Sequence, residues 1–240
     1  MKQDNMAKAR PTRSEMVVYR FFRAIAVGAS RLYFPGKVYG RENLPAKGAL
    51  IVAPVHRSYV DWLIVARITH RRRLRYIVKE EVWRSKIFGA IIEACGGFPV
   101  NRSGADREAL QRCQAVLDGQ EPLVMFPEGT RRSGRQVEEL KDGVAYLSLR
   151  AGVPIVPIGI GGSEQAMPRG SSFPRPRRIN VVIGPAVAAP APSAAQAGPG
   201  ENAVAPRRNR VGRAGITEQS EKVRAAIQQA FDAAEASLRR

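Results

Sequence analysis

The sequence has few of the residues on which metal centres and disulfide scaffolds depend. Its 240 residues include two cysteines, Cys95 and Cys113, and two histidines, and no C-x-x-C pattern is present. A thiolate zinc site or a disulfide framework needs more cysteines at closer spacing. The sequence therefore predicts no bound metal and a reducing compartment. We also expect no cofactor.

Acidic residues are also scarce. The chain has 39 Lys and Arg against 21 Asp and Glu, which gives a net charge of +18. Such an excess favours an anionic partner, which could be nucleic acid, an acidic membrane surface or a phosphate-bearing substrate. Aromatic residues make up only 7% of the chain, and no zinc-finger, RNP or helix-turn-helix signature is present. A specific nucleic-acid binder is therefore disfavoured.

Long apolar runs are missing as well. Stretches such as residues 24–30 fall far short of the roughly 20 residues that span a bilayer. The first residues are polar and lack the apolar segment of a secretory signal. These absences predict no signal peptide and no transmembrane span. The basic charge and the first helix add the expectation of a peripheral protein on the cytoplasmic side of a membrane.

Residues 1–36 form a basic amphipathic segment. On a helix over residues 16–34, at about 100° per residue, Arg23 and Arg31 lie near Arg20, and an apolar face lies opposite. The apolar face consists of Val18, Phe21, Phe22, Ile25, Ala29 and Leu32. Two interpretations stay open. The apolar face packs on the protein's own domain, or the helix lies in a membrane interface with its arginines at anionic head groups.

Strand and helix patterns alternate through residues 37–185. The predicted strands are 49–53, 74–78, 98–100, 122–126, 153–160 and 178–183, and the predicted helices are 61–69, 81–93, 105–117 and 137–150. This alternation predicts a single α/β domain, whose largely parallel or mixed central sheet is flanked by helices. Residues 186–215, rich in Ala, Pro, Gly and Arg, predict a flexible linker, and residues 216–240 predict a C-terminal helix capped by Thr217.

The first candidate for chemistry is an H-x-x-x-x-D pattern that runs from His56 to Asp61. If Ser58 is the N-cap of the following helix, Asp61 lies in its first turn, near the loop that carries His56. In one interpretation Asp61 only completes a capping box. In the other, it orients His56 as a general base. No G-x-S-x-G pattern is present, so the activated hydroxyl would belong to a substrate.

Two downstream segments are typical of anion-binding loops. Residues 126–134, FPEGTRRSG, follow a predicted strand and combine glycine, threonine and two guanidinium groups. Residues 96–102, GGFPVNR, end in Arg102. Each segment alone is more typical of a turn with exposed arginines, but their joint occurrence after H-x-x-x-x-D favours a binding site.

The order of these segments resembles the 1-acylglycerol-3-phosphate acyltransferases, the PlsC-like family of lysophosphatidic acid acyltransferases. Four blocks carry the resemblance, at residues 55–61, 97–102, 126–131 and 153–157, and the FPEGTR block matches at every position. The chain departs from the family at Val55, where the usual residue is Asn, and at Arg132, where many relatives have Ser. We expect these departures to affect the choice of acceptor more than the type of reaction.

The resemblance implies roles for individual residues. His56 would be the catalytic base and Asp61 its partner. The remaining implied residues contact the substrates: Arg102, Glu128 and Arg131 would hold the glycerol phosphate, Gly129 and Thr130 would shape the loop, and Pro157 would lie near the acyl donor.

The implied function is an O-acyltransferase of phospholipid biosynthesis. It would move a fatty acyl group from acyl-CoA or acyl carrier protein to the free hydroxyl of 1-acylglycerol 3-phosphate, giving phosphatidic acid. The partners would be a lysophospholipid acceptor, an acyl thioester donor and an anionic membrane surface. Glycerol 3-phosphate or another lysophospholipid stays open as the acceptor, and a non-enzymatic nucleic-acid or membrane-surface binder is the alternative of another class.

Overall fold

The computed structural model describes residues 12–69, 71–100, 106–190 and 211–239. These residues form one sheet of seven strands. The strands are β1 (Val38–Tyr39), β2 (Leu50–Pro54), β3 (Arg75–Lys79), β4 (Gly97–Val100), β5 (Pro122–Val124), β6 (Ile155–Gly161) and β7 (Asn180–Ile183). Their order across the sheet is β1-β7-β6-β2-β5-β3-β4. All neighbouring strands are parallel except β6 and β7, so the sheet is mixed, and the predicted fold class is confirmed.

Helices connect and flank these strands. In the described residues the α-helices are α1 (Arg13–Tyr33), α2 (Asp61–Val65), α3 (Lys86–Ala94), α4 (Asp106–Asp118), α5 (Asp142–Ala151), α6 (Ser163–Ala166) and α7 (Arg213–Ser237), with short 3-10 helices at Arg41–Asn43 and Glu80–Arg84. No helix of these residues is both long enough and apolar enough to cross a membrane.

The centre of the sheet is its most deeply buried part. Every residue of β2 and of β6 is buried, as expected for parallel strands with both faces covered. The carboxyl ends of β2, β5 and β6 lie at one edge, because these three strands run parallel. We call this edge the catalytic edge, since His56 follows β2 there.

Helix α7 packs directly on β6, and glycines permit the close approach. A Cβ atom added at Gly159 would lie 2.0 Å from the carbonyl oxygen of Ala230. Gly161 meets the α7 backbone at Ala234 in the same way. The helix therefore runs in the same direction as β6, and its N-terminus lies toward the edge opposite the catalytic one.

Helix α1 packs on α2 and α3 through a face that its hydrophobic period did not indicate. Tyr19, Val27 and Ser30 are buried, and Arg23 also points inward, where it donates to the carbonyl oxygens of Ala66, at 2.7 Å, and Thr69. The expectation that Arg23 meets lipid head groups is therefore wrong. Apart from the half-buried Phe22, the apolar arc is exposed, so the expectation that this arc packs on the protein's own domain is also wrong.

Several predicted boundaries shift. The helix expected over residues 137–150 begins at Asp142, because Val137 and Leu140 are buried in the preceding loop. The last helix begins at Arg213, with Gly212 as its N-cap, so Thr217 lies within the helix and does not cap it. Of the predicted linker, residues 191–210 lie outside the described residues. Upstream of them, Val187 pairs with Ile155 in an isolated β-bridge.

Candidate active site

The two predicted motifs meet at the catalytic edge. His56 follows β2 by two residues, and the FPEGTR segment follows β5, the parallel neighbour of β2. The backbone N–H of Arg132 donates to the carbonyl oxygen of His56 at 3.0 Å, and the rings of His56 and Phe126 have centroids 4.1 Å apart. The topology of the sheet thus brings together residues that are 70 positions apart in the sequence (His56 and Phe126).

His56 and Asp61 form a dyad. The His56 Nδ1 atom lies 3.0 Å from Asp61 Oδ2, and Asp61 is fully buried, whereas the His56 side chain is 19% exposed. The same Oδ2 accepts the backbone N–H groups of Arg57 and Ser58, each at 2.7 Å. A buried carboxylate with these donors fixes the ring orientation and leaves Nε2 as the nitrogen for a substrate.

The capping interpretation is partly right. Asp61 does reach back to the Ser58 backbone N–H, as a capping box requires, but Val60 is the N-cap of α2 and the Asp61 N–H points to the Ser58 carbonyl oxygen. The Ser58 hydroxyl instead donates to the Met167 carbonyl oxygen at 2.9 Å. The Asp61 Oδ2 atom therefore accepts hydrogen bonds from the backbone of this turn and also contacts the His56 ring.

Glu128 lies behind the site and not in it. Its carboxylate accepts from Arg57 Nη1 at 2.8 and 2.7 Å and from the His56 backbone N–H at 3.3 Å, and both side chains are almost completely buried. Burial raises the pKa of the Glu128 carboxyl, and the Arg57 guanidinium acts in the opposite direction. The structure thus gives Glu128 a positioning role in place of the substrate contact that the resemblance implied.

Arg57 joins three segments of the site. Besides Glu128, its guanidinium donates to the carbonyl oxygens of Gly134 at 2.9 Å and Gln136 at 2.8 Å, and it lies 5.2 Å from the ring centroid of Phe231 on α7. Sequence reasoning did not assign Arg57 a role. Its position next to His56 was visible, but its pairing with Glu128 depends on the adjacency of β2 and β5, which no local pattern reveals.

Arg131 faces the site. Its guanidinium carbon lies 3.2 Å from the ring centroid of Tyr59, and its buried Nη1 has no hydrogen-bond partner among the described residues. Thr130 and Gly129 are exposed beside it. Gly129 has a φ of 70°, a conformation that favours glycine, and a Cβ there would also crowd the Lys141 side chain at 3.0 Å. The loop therefore presents a guanidinium group with unused donors.

A cavity of about 1190 Å³ opens beside His56. Polar groups near the histidine include Thr130, Arg131 and Lys141, whereas the rest of its wall is mainly apolar. The apolar part includes Ile77, Val78, Ile92, Val100, Leu110, Val124, Met125 and Val144. A cavity of this kind suits a ligand with a long hydrocarbon part and a charged end.

Three further predictions concern Arg102, Pro157 and bound metal. Arg102 lies outside the described residues. Pro157 is buried in β6 opposite Ala53 of β2 and does not line the cavity, so the structure assigns it to the packing of the sheet. Within the described ranges, no three His, Cys, Asp or Glu side chains gather as a metal site would require.

Comparison with known proteins agrees with this geometry. The model of the family described as Acyltransferase matches residues 36–161, which is more than half of the chain. The chain belongs to this acyltransferase family. The matched region begins before β1 and ends with β6, so it contains the dyad, the Arg57–Glu128 pair and the Arg131 loop.

Among curated relatives, a 1-acyl-sn-glycerol-3-phosphate acyltransferase of Chlamydomonas reinhardtii is 30% identical over 66% of this chain and 48% of its own length. One from Bacillus subtilis is 26% identical over 62% of this chain and 71% of its own length. The present chain thus spans about half the length of the algal relative and a larger share of the bacterial one.

A solved structure shares the fold. The 1-acyl-sn-glycerophosphate (LPA) acyltransferase PlsC from Thermotoga maritima matches with a TM-score of 0.67 at 20% identity, and the match covers 95% of this chain and 80% of that one. The mixed sheet with its flanking helices is therefore an arrangement already seen in a crystal structure.

Proposed function

We propose that this acyltransferase moves a fatty acyl group from acyl-CoA or acyl carrier protein to the free hydroxyl of 1-acylglycerol 3-phosphate, giving phosphatidic acid in phospholipid biosynthesis. The observation that carries the proposal is the His56–Asp61 dyad, whose histidine lines a largely apolar cavity together with Arg131, the Nη1 group of which has no partner among the described residues. The names of the curated relatives support the choice of acceptor.

In this reaction His56 Nε2 takes the proton of the acceptor hydroxyl as its oxygen attacks the thioester carbonyl carbon. A C–O bond forms, and the C–S bond breaks when the tetrahedral intermediate collapses. The imidazolium then gives the proton to the leaving thiolate. Asp61 holds the ring and stabilises the imidazolium, so the scheme needs neither a covalent acyl-enzyme nor a cofactor.

The acceptor phosphate would lie near Arg131. A guanidinium group donates two parallel hydrogen bonds to phosphate oxygens, and the ring of Tyr59 beneath Arg131 restricts its position. The Lys141 side chain also lines this end of the cavity. Arg102 is a further proposed phosphate ligand, on the resemblance alone.

The protein would reach its lipid substrates as a peripheral protein on the cytoplasmic membrane face, with α1 lying in the lipid interface. The exposed arc of α1 carries Val17, Phe21, Ile25 and Leu32, and Leu32 is 89% exposed. Arg20 and Arg31 are exposed and available to anionic head groups.

The decisive experiment incubates the purified protein with a labelled acyl thioester and identifies the acylated product by mass. Separate reactions contain lysophosphatidic acid, glycerol 3-phosphate or another lysophospholipid. We expect phosphatidic acid from the first, and a strong preference for either of the others would replace the proposed acceptor.

His56→Ala tests the mechanism. It should lower turnover by about 10²–10⁴-fold, the usual contribution of a general base. His70→Ala, which removes the other histidine of the chain, is the matched control and should keep its activity. Activity of the His56→Ala protein close to that of the control would remove the dyad from the mechanism.

A further inference from the structure

The segment between α6 and β7, residues 167–178, is a surface that the proposed reaction leaves unexplained. Phe173 is 81% exposed, which is more than any other aromatic side chain of the described residues. Four exposed arginines surround it in the sequence, Arg169, Arg175, Arg177 and Arg178, and residues 166–180 contain no Asp or Glu. None of the four forms an ion pair with a described residue.

The topology puts this loop at the catalytic edge. Strand β6 runs parallel to β2, and β7 returns antiparallel to β6, so the connection between them lies at the edge where His56 leaves β2. The Ser58 hydroxyl, within the H-x-x-x-x-D motif, donates to the Met167 carbonyl oxygen at 2.9 Å. The loop therefore begins beside the dyad.

The far part of the loop meets α1. The Tyr33 hydroxyl donates to the Pro174 carbonyl oxygen at 2.8 Å, and Tyr33 follows Leu32, which is 89% exposed. Hydrogen bonds within the loop also fix its shape. The Arg175 backbone N–H donates to the Ala166 carbonyl oxygen at 2.7 Å, and the Ser171 hydroxyl donates to the Phe173 carbonyl oxygen at 2.9 Å. Phe173 is thus presented on a structured turn next to the exposed arc of α1.

We propose that residues 167–178 are a second lipid-contacting element, in which Phe173 enters the acyl boundary of an anionic bilayer and the surrounding arginines bind its head groups. The charge is complementary to an acidic lipid surface, and an apolar ring among cations matches the composition of interfacial segments. This inference rests on the proposed function, because an acyltransferase that draws lipid substrates from a bilayer must turn its catalytic edge toward it. The loop and α1 would together orient that edge.

The test is co-flotation of the full chain with phosphatidylcholine vesicles, either neutral or containing phosphatidylglycerol. Arg175, Arg177 and Arg178 are changed together to Gln. Near an anionic surface each arginine contributes about a fivefold change in partitioning, so the triple variant should lose about 100-fold. Phe173→Ser should lose about tenfold, since most of one buried aromatic side chain is removed.

The matched control removes three exposed cations from elsewhere, as K47Q, R213Q and R224Q together. Lys47 precedes β2 and Arg213 begins α7, so both lie toward the opposite edge, and the net charge changes equally. This control should bind vesicles almost as well as the unchanged protein. Equal losses in the two triple variants would overturn the proposal, because binding would then depend only on net charge.

A polynucleotide arm separates lipid from other polyanions. If the loop triple variant loses single-stranded DNA binding but floats normally, and Phe173→Ser changes neither, the patch binds polyanions and the proposal is wrong. Acylation of short-chain, water-soluble substrates is measured in parallel. Should the unchanged protein acylate nothing, the proposed function fails, while flotation still decides the role of the loop.

Discussion

The buried Arg57–Glu128 pair allows a sharp test of the site's architecture through the variant Glu128→Gln. The substitution keeps the shape of the side chain but leaves the Arg57 guanidinium, 1% exposed, without its counter-charge. Removing one partner of a buried ion pair costs about 3–5 kcal/mol. For a chain of this size, about 2–4 °C of Tm is lost per kcal/mol, so we expect Tm to fall by about 6–20 °C.

The assay is thermal unfolding followed by circular dichroism, with Glu221→Gln as the control. Glu221 pairs with Arg224 on the exposed side of α7, where water screens both charges, so its loss should leave Tm nearly unchanged. A double variant, Arg57→Met with Glu128→Leu, should be more stable than Glu128→Gln, because it leaves no unpaired charge in the interior.

Activity separates the two roles considered for Glu128. If it positions the loops, Glu128→Gln lowers both stability and turnover, since the His56 backbone N–H loses a charged acceptor. If it binds the acceptor, the KM for the acceptor rises while Tm stays constant. A Tm equal to that of Glu221→Gln would refute the buried pair.

Three further outcomes follow from the site. Asp61→Asn should lower turnover by about 10²–10⁴-fold, because His56 loses its charged partner. It should also lower the free energy of unfolding by about 1–3 kcal/mol, because two backbone N–H groups lose a charged acceptor. If turnover per folded molecule were unchanged, Asp61 would have a capping role only. Arg131→Lys should raise the KM for a phosphorylated acceptor, because lysine lacks bidentate geometry, and a constant KM would place that side chain in solvent. Burial raises the pKa of Cys113 to about 12, so this thiol should resist alkylation at pH 8, and its rapid modification would contradict the packing of α4. The half-buried Cys95 lines the cavity, so a bound acyl thioester should protect it from alkylation.

The fold class could be predicted because each element carries its own period. The apolar run at residues 49–53 and the alternation of strands with helices favoured a largely parallel or mixed sheet, and β2 lies within one residue of its expected place. Helix starts were harder. Residues 137–141 have helical spacing, yet the N–H of Lys141 donates to the carbonyl oxygen of Pro127, so a tertiary contact delays α5.

The dyad was predictable, and its surroundings were not. His56 and Asp61 are five residues apart, so a single turn brings them together and a local pattern suffices. Glu128 needed knowledge of which strands are neighbours. The family resemblance implied a substrate contact for Glu128, whereas the order of the strands places its carboxylate against Arg57.

Helix α1 shows where periodicity alone fails. Its sequence has one broad apolar arc and one basic arc, and the ordinary expectation turns the apolar arc inward. The structure instead turns inward one side of the basic arc, at Tyr19, Arg23, Val27 and Ser30, because the carbonyl oxygens after α2 offer Arg23 acceptors and the Tyr19 hydroxyl accepts the Leu74 N–H. Burying a guanidinium is favourable only with such acceptors, and their positions depend on α2 and β3. The domain therefore satisfies Arg23 alone of the three arginines, Arg20 and Arg31 stay exposed, and the exposed apolar arc is the surface that the proposed lipid interface would bury.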